Sequence, residues 1–154
     1  MISNYTYYTS PIGLIEIGGT ETALTSLYFV DAPRQEVTSS PVLEDAMRQL
    51  DEYFRHLRQD FDLPLDLHGT EFQRSVWRQL LTVGYGATVA YLDIANALGN
   101  PKAIRAVGAA NGQNPISVIV PCHRIIGSNG KLVGYGGGLW RKEWLLKHEG
   151  ALMI

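Results

Sequence analysis

Short stretches rich in apolar and β-branched residues fill the start of the chain. Residues 5–9, 13–17 and 23–29 are separated by Ser10-Pro11 and Gly18-Gly19-Thr20, a spacing that predicts three strands joined by turns. The period then changes. Leu43, Met47, Leu50, Phe54 and Leu57 recur at steps of four and three, which places them on one stripe of a helix. Ser40 is suited to cap that helix and Pro41 to occupy its first turn. Residues 61–67 read as extended and lead into the second half.

From there the pattern is mostly helical. Thr70-Glu71-Phe72-Gln73 has the spacing of a capping box and opens a helix through about residue 81, with Phe72, Val76 and Leu80 facing inward. Gly84-Tyr85-Gly86 ends it. Residues 91–98, the turn Gly99-Asn100-Pro101 and residues 102–111 follow, a pair of short helices with the pattern of a helix-turn-helix. The second of the pair carries few long polar side chains beyond Arg105 and Asn111, whereas a helix that reads the major groove needs several. Its alanines suit either close approach to a nucleic-acid backbone or tight helix packing. Residues 116–120 predict a buried extended segment, stopped by Pro121.

Length and charge narrow the picture. A chain of 154 residues, 45% apolar and 18% charged, makes one domain or two small lobes. No apolar run approaches the ~20 residues of a membrane span. The first residues, Met1-Ile2-Ser3-Asn4-Tyr5, lack the basic and then apolar order of a secretory signal. A single cysteine cannot form an internal disulfide, so a reducing, cytoplasmic setting is expected. The net charge of -2 hides an asymmetry: residues 1–68 carry four Arg against eleven acids, and residues 69–154 nine Lys or Arg against four. The second part is therefore the one suited to an anionic partner, and nucleic acid is the natural candidate.

The chemistry gathers at Cys122-His123-Arg124. An inert cysteine wants apolar company, whereas a nucleophilic one wants a base or positive charge, which lowers its pKa. His123 and Arg124 are the right residue types. A zinc site from Cys122, His123, His148 and Glu149 has poor spacing, because neighbouring side chains diverge. A Cys-His hydrolase remains open on these residues alone. Downstream, Val133-Gly134-Tyr135-Gly136-Gly137-Gly138-Leu139 is a glycine-rich loop without the Lys-Ser/Thr ending of a P-loop. It suits a flexible wall for a flat ligand, with Tyr135 as its face. A short terminal helix over residues 140–148 follows.

Asn114-Pro115, Val120-Pro121-Cys122-His123-Arg124-Ile125-Ile126, residues 134–139, Lys142-Glu143-Trp144-Leu145-Leu146 and His148-Glu149-Gly150 together resemble the O6-alkylguanine-DNA alkyltransferases. The resemblance is strong over residues 69–150 and weaker before. It implies an α+β fold, with a small N-terminal ribonuclease-H-like α/β lobe over residues 1–68 as scaffold. A mostly helical lobe over residues 69–154 would contain the helix-turn-helix, bind DNA and carry the chemistry. It implies irreversible, single-turnover transfer of an alkyl group from guanine O6, with thymine O4 a second candidate, onto Cys122. No cofactor or metal is needed.

The resemblance also assigns roles. His123 would serve through a water as base, oriented by Glu149. Tyr91 would donate a proton toward the departing guanine, and Asn114 would tie the helix pair to the cysteine segment. Tyr135, Ile125 and Gly136 would hold the base. Lys102, Ala103, Arg105, Ala106 and Arg124 would face double-stranded DNA, bound by a monomer through the minor groove with the base flipped out and Arg105 filling its space. Gly136 departs from relatives with a small polar residue there, which leaves tolerance of bulky alkyl groups open. A lesion sensor that binds DNA without transferring anything is the competing reading.

Overall fold

The computed structural model describes residues 3–151. The chain divides into two compact units, one closing at His68 and the other opening at Gly69. The architecture is α+β, with an antiparallel sheet in the first unit and mostly helices in the second.

The first unit is a three-stranded meander, β1 (Asn4–Ser10), β2 (Gly13–Gly19) and β3 (Leu24–Val30), followed by α1 (Pro41–Phe54). Ile15 and Ile17 of β2 and Leu24 and Leu27 of β3 are buried with Leu43, Ala46, Leu50 and Tyr53 of α1. The helix starts where expected, because the Ser40 side chain accepts from the Leu43 amide and Pro41 needs no donor there. It stops before Leu57, which lies beyond Phe54 and is 74% exposed. The expected stripe was one turn too long: His56 takes φ 61° and turns the chain away. At the end of β2 the register shifts between Gly18 and Gly19, and a Cβ on Gly19 would stand 2.5 Å from the Ala23 carbonyl oxygen. Only glycine allows that approach. Residues 61–67 form no strand of their own; their backbone meets β3 through the isolated bridge of Leu65 with Leu24.

The second unit comprises α2 (Glu71–Leu80), β4 (Val89–Ala90), α3 (Tyr91–Ala97), α4 (Ile104–Gly112), a 3-10 turn (Cys122–Arg124), β5 (Ile125–Ile126) and α5 (Leu139–His148). A reciprocal capping box opens α2: Thr70 Oγ1 accepts from Gln73 N, and Gln73 Oε1 accepts from Thr70 N. Val76 and Leu80 are buried as expected. Phe72 is only half-buried, and Trp77 takes the core position, its Nε1 donating to Ala110 O at 2.8 Å. That bond joins α2 to the end of α4. The turn at Gly99 (φ 75°) separates α3 from α4, and α4 begins at Ile104, with Ala103 as its N-cap and Lys102 before it.

Residues 116–120 are buried except for half-buried Ser117, but they do not form the extended segment read from their apolar run. They close a tight turn in which Val120 N donates to Ile116 O and Val118 adopts φ 70°. A β-branched residue in the left-handed region is strained. Asn114 holds the turn: its Oδ1 accepts from Ile116 N at 3.0 Å, and its Nδ2 donates to Val120 O at 2.8 Å. Side-chain bonds therefore substitute for a ladder that periodicity cannot foresee.

Candidate functional site

The 3-10 turn presents Cys122, His123 and Arg124 consecutively, all three buried. It is fixed from behind by Cys122 N donating to Val120 O and Arg124 N to Pro121 O. Parallel pairing of β5 with β4, Ile125 opposite Val89, then ties the turn to the start of α3, where Tyr91 stands.

His123 does not point its partnered nitrogen at the cysteine. Its Nε2 meets Glu149 Oε2 at 2.8 Å, and Nδ1 has no partner. Glu149 also receives Arg124 Nε at 2.8 Å and Nη2 at 3.0 Å, while Arg124 Nη1 donates to Val83 O. Burial alone would raise the Glu149 carboxyl, but the hydrogen bonds and charges of His123 and Arg124 outweigh it and hold the group below the usual carboxylate range. Burial holds His123 below its ordinary value despite the Glu149 hydrogen bond. The pair is therefore an ionised carboxylate and a neutral imidazole, with the Nε2 proton directed at Glu149 and the Nδ1 lone pair open.

Arg124 was expected at a DNA surface. It is instead buried, and its guanidinium is engaged by Glu149 and Val83, which removes it from reach of phosphate. Nor do His123 and Arg124 make Cys122 an acidic thiol. Burial pushes it up to about 11, against the lowering effects of Asn114 and Lys142. The cation that acts on the thiol is Lys142, part of the Lys142–Leu146 stretch that carries the family resemblance. It is fully buried in α5, and its Nζ donates to Val133 O at 2.7 Å and Gly134 O at 3.3 Å. Burial lowers its pKa to about 8. A buried lysine twenty residues from a cysteine carries no local signal of the contact.

Tyr91 lies against α4, 3.7 Å from the Cβ position of Gly108, and its hydroxyl makes one long contact of 3.5 Å with Val133 O. Burial and the nearby Cys122 raise its pKa. The Tyr135 hydroxyl is buried beside Ser117 without the geometry of a full hydrogen bond. Ile125 is fully buried. Gly136 is exposed, and a Cβ there would lie 4.0 Å from Gly112 O, so this part of the loop has room for a side chain or a ligand group. Lys102, Arg105 and Ala106 are exposed and Ala103 is half-exposed, while Val107, Ala110 and Asn111 form the inner face of α4. The small residues therefore serve packing on the inner face, with Ala110 buried beside Val107, while Ala106 and Ala109 are exposed on the outer one.

His148 stacks on the Trp144 ring at 4.9 Å, and among the described residues no three His, Cys, Asp or Glu side chains gather as a metal set. No helix among them is long and apolar enough to cross a membrane. The arrangement offers one thiol, a buried base with an open lone pair, a phenol and a buried ammonium beside a glycine-rich wall.

The family profile of the 6-O-methylguanine DNA methyltransferase DNA binding domain matches residues 71–151, and that of the ribonuclease-like domain of the same family matches residues 4–67. A methylated-DNA–protein-cysteine methyltransferase of Mycolicibacterium paratuberculosis is 50% identical over 94% of this chain and 91% of its own. One from Methanosarcina acetivorans is 48% identical over 96% and 98%. The crystal structure of Mycobacterium tuberculosis O6-methylguanine methyltransferase matches with a TM-score of 0.89 at 44% identity, over 97% of this chain and 93% of that one. A structure of the Mycobacterium tuberculosis protein in complex with DNA gives 0.88 at 48% identity, over 96% and 92%.

Proposed function

Because the chain belongs to the 6-O-methylguanine DNA methyltransferase family, we propose that the buried Cys122 and the His123–Glu149 pair form the acceptor site for its repair reaction. The protein reverses alkylation damage directly, moving an alkyl group from O6 of guanine in DNA onto its own cysteine. It has only one cysteine. A thioether is not hydrolysed under ordinary conditions, so each molecule acts once.

The observation that carries the reading is the open Nδ1 of a buried imidazole whose other nitrogen is fixed by a carboxylate, in the residue that follows the buried Cys122. Nδ1 takes the thiol proton through a water, and Glu149 stabilises the imidazolium that results. Sγ then attacks the alkyl carbon; the S–C bond forms as the C–O6 bond breaks, and the electron pair stays on guanine. Tyr91 gives its hydroxyl proton to the departing base, so guanine leaves neutral. Lys142 stabilises the thiolate in transit. Asn114 keeps the cysteine turn in place, and Tyr135, Ile125 and the open Gly136 bound the base.

A stacked guanine hides its O6, so the base must leave the helix at a cost of about a few kcal/mol. The exposed face of Lys102, Ala103, Arg105 and Ala106 is smooth and basic, which suits minor-groove binding with Arg105 inserted where the base was. In this reading α3 and α4 act as the helix-turn-helix, residues 69–154 bind and react, and residues 1–68 serve as scaffold. The protein works as a monomer in the reducing cytoplasm, where the thiol stays available.

The test is intact mass and peptide mapping after mixing with a duplex bearing one O6-methylguanine. One methyl on Cys122, saturating at one per protein while guanine is restored, is expected; Cys122→Ala should gain none. Tight lesion binding without a mass change on folded, reduced protein would replace transfer with sensing.

A further inference from the structure

Gly84-Tyr85-Gly86 does more than end α2. Ala87 N donates to Gly84 O at 3.0 Å and Gly86 takes φ 80°, the pattern of a type II turn with Tyr85 at its corner. The turn lies against the C-terminal end of α5. A Cβ on Gly86 would stand 3.1 Å from the Glu149 carbonyl oxygen, so glycine lets the two backbones meet. Tyr85 Oη donates to His148 O at 3.2 Å. Just before the turn, Val83 O accepts from Arg124 Nη1 at 2.6 Å, and Arg124 Cζ lies over the Tyr85 ring, 6.0 Å from its centroid.

Residues 83–86 therefore touch Arg124, His148 and Glu149 through separate groups. Glu149 fixes His123 Nε2 and Arg124 fixes Glu149, and the Glu149 and Arg124 side chains are 0% and 9% exposed. The Tyr85 ring is half-buried; burial and the Glu149 charge raise its pKa, while Arg124 lowers it. A ring open on one side and within reach of both charges on the other stands between solvent and the cluster.

Water admitted to such a cluster weakens each charge interaction and solvates a protonated imidazole. We propose that Tyr85 is a positioning residue for alkyl transfer: its ring closes the Arg124–Glu149–His123 cluster to solvent and keeps His123 an aligned, unprotonated base. The inference rests on the proposed function, since it acts through His123. The charges facing His123 come from Glu149 and Lys142 of α5 and from Arg124 beside it. Glu149 favours the imidazolium, while burial, Arg124 and Lys142 oppose it, and burial is the largest of these effects. Removing the ring reduces the burial and leaves the three charges in place, so it raises the His123 pKa toward its ordinary 6.5.

The experiment follows single-turnover transfer from a saturating O6-methylguanine duplex between about pH 5 and about pH 7.5. The wild type, Tyr85→Ala, Tyr85→Leu and Tyr85→Phe are measured, with melting curves at each pH. Protonation of His123 makes the rate fall on the acid side. In Tyr85→Ala that limb should move up by about one pH unit, a loss of about tenfold at its foot and little at the upper end. Tyr85→Leu keeps apolar volume in case the alanine variant does not fold, and it should move the limb the same way by less. Tyr85→Phe loses only the bond to His148 O and should keep the wild-type limb. The same shifts should appear with a free O6-alkylguanine base, because Tyr85 acts on the imidazole and not on DNA. A limb unmoved in Tyr85→Ala and Tyr85→Leu, with the rate unchanged or reduced by one factor at every pH, would reduce Tyr85 to packing. That result overturns the inference and leaves the functional reading standing. A shift in Tyr85→Phe as large as in Tyr85→Ala would move the effect to the hydroxyl and overturn the inference as well. No methyl transfer by the wild type at any pH would sink the functional reading, and the inference with it.

Discussion

Glu149→Gln tests the centre of the site. The Glu149 side chain is fully buried and holds His123 at 2.8 Å and Arg124 at 2.8 and 3.0 Å. Glutamine preserves shape and one acceptor but leaves the Arg124 guanidinium buried without its counter-charge. Removing one partner of a buried pair costs about 3–5 kcal/mol, and the conserved shape argues for the lower end. For a chain of this length, about 3 kcal/mol lowers Tm by roughly 6–12 °C. Arg124→Met should cost a similar amount, and the two changes together should cost less than their sum, since no charge is then stranded. Urea titrations of the wild type, both single variants and the double variant at pH 7 supply the cycle. The pH dependence is a second check. Glu149 and His123 are both held below their ordinary values of 4.5 and 6.5, so the unfolded chain binds more protons. Wild-type stability should fall as pH drops below about 6.5 and further below about 4.5, and Glu149→Gln should lose the lower part of that fall. Additive single losses, or an unchanged acid limb in Glu149→Gln, would refute the picture of one coupled buried cluster.

Three other perturbations separate the roles. Tyr91→Phe should slow methyl transfer by about 10²-fold or more while changing stability little, because the hydroxyl has only the 3.5 Å contact with Val133 O to lose; stopped single-turnover assays and melting curves read the two effects. Arg105→Ala, exposed on α4, should weaken DNA binding and leave stability within about 0.5 kcal/mol. Its transfer from a free O6-alkylguanine base should be unchanged, and a loss there would place Arg105 in the pocket rather than on DNA. Lys142→Met removes the ammonium that lowers the Cys122 pKa, so alkylation of Cys122 by iodoacetamide at pH 7, below the Lys142 pKa of about 8, should slow by about three- to tenfold, followed by mass.

Where local pattern and local geometry coincide, the sequence was legible. The capping box of Thr70 and Gln73 and the Ser40-Pro41 start of α1 follow from side chains that act within one turn. Three strands were placed within a few residues because alternation and turn residues mark them directly. Residues 116–120 were misread because an apolar run records burial and not backbone path; Asn114 bends it through hydrogen bonds that hydrophobicity does not encode. Arg124 was misassigned for a related reason. Its charge suggests DNA, but its partner Glu149 lies twenty-five residues away in sequence. Lys142 went unassigned because its relation to Cys122 exists only once the 3-10 turn and α5 are assembled.

The high thiol pKa fits a protein that acts once. Burial holds the Cys122 thiol well above its ordinary pKa, so at pH 7 it stays neutral. A permanently ionised cysteine would react with any small electrophile, and each such event would remove a molecule from repair. Burial suppresses that loss but makes activation depend on groups that act when the lesion is seated. The proposed function assigns that activation to the open His123 lone pair, the Lys142 charge and the weakly held Tyr91 hydroxyl. Discrimination and reactivity therefore have a common origin: the same desolvation that silences the free thiol strengthens each charge interaction once water is excluded by the base. The corollary is measurable. Reaction with O6-methylguanine in DNA should far outpace reaction with a soluble methylating agent of equal intrinsic reactivity, and Cys122 reacting equally with both would show that the thiol is active without its substrate.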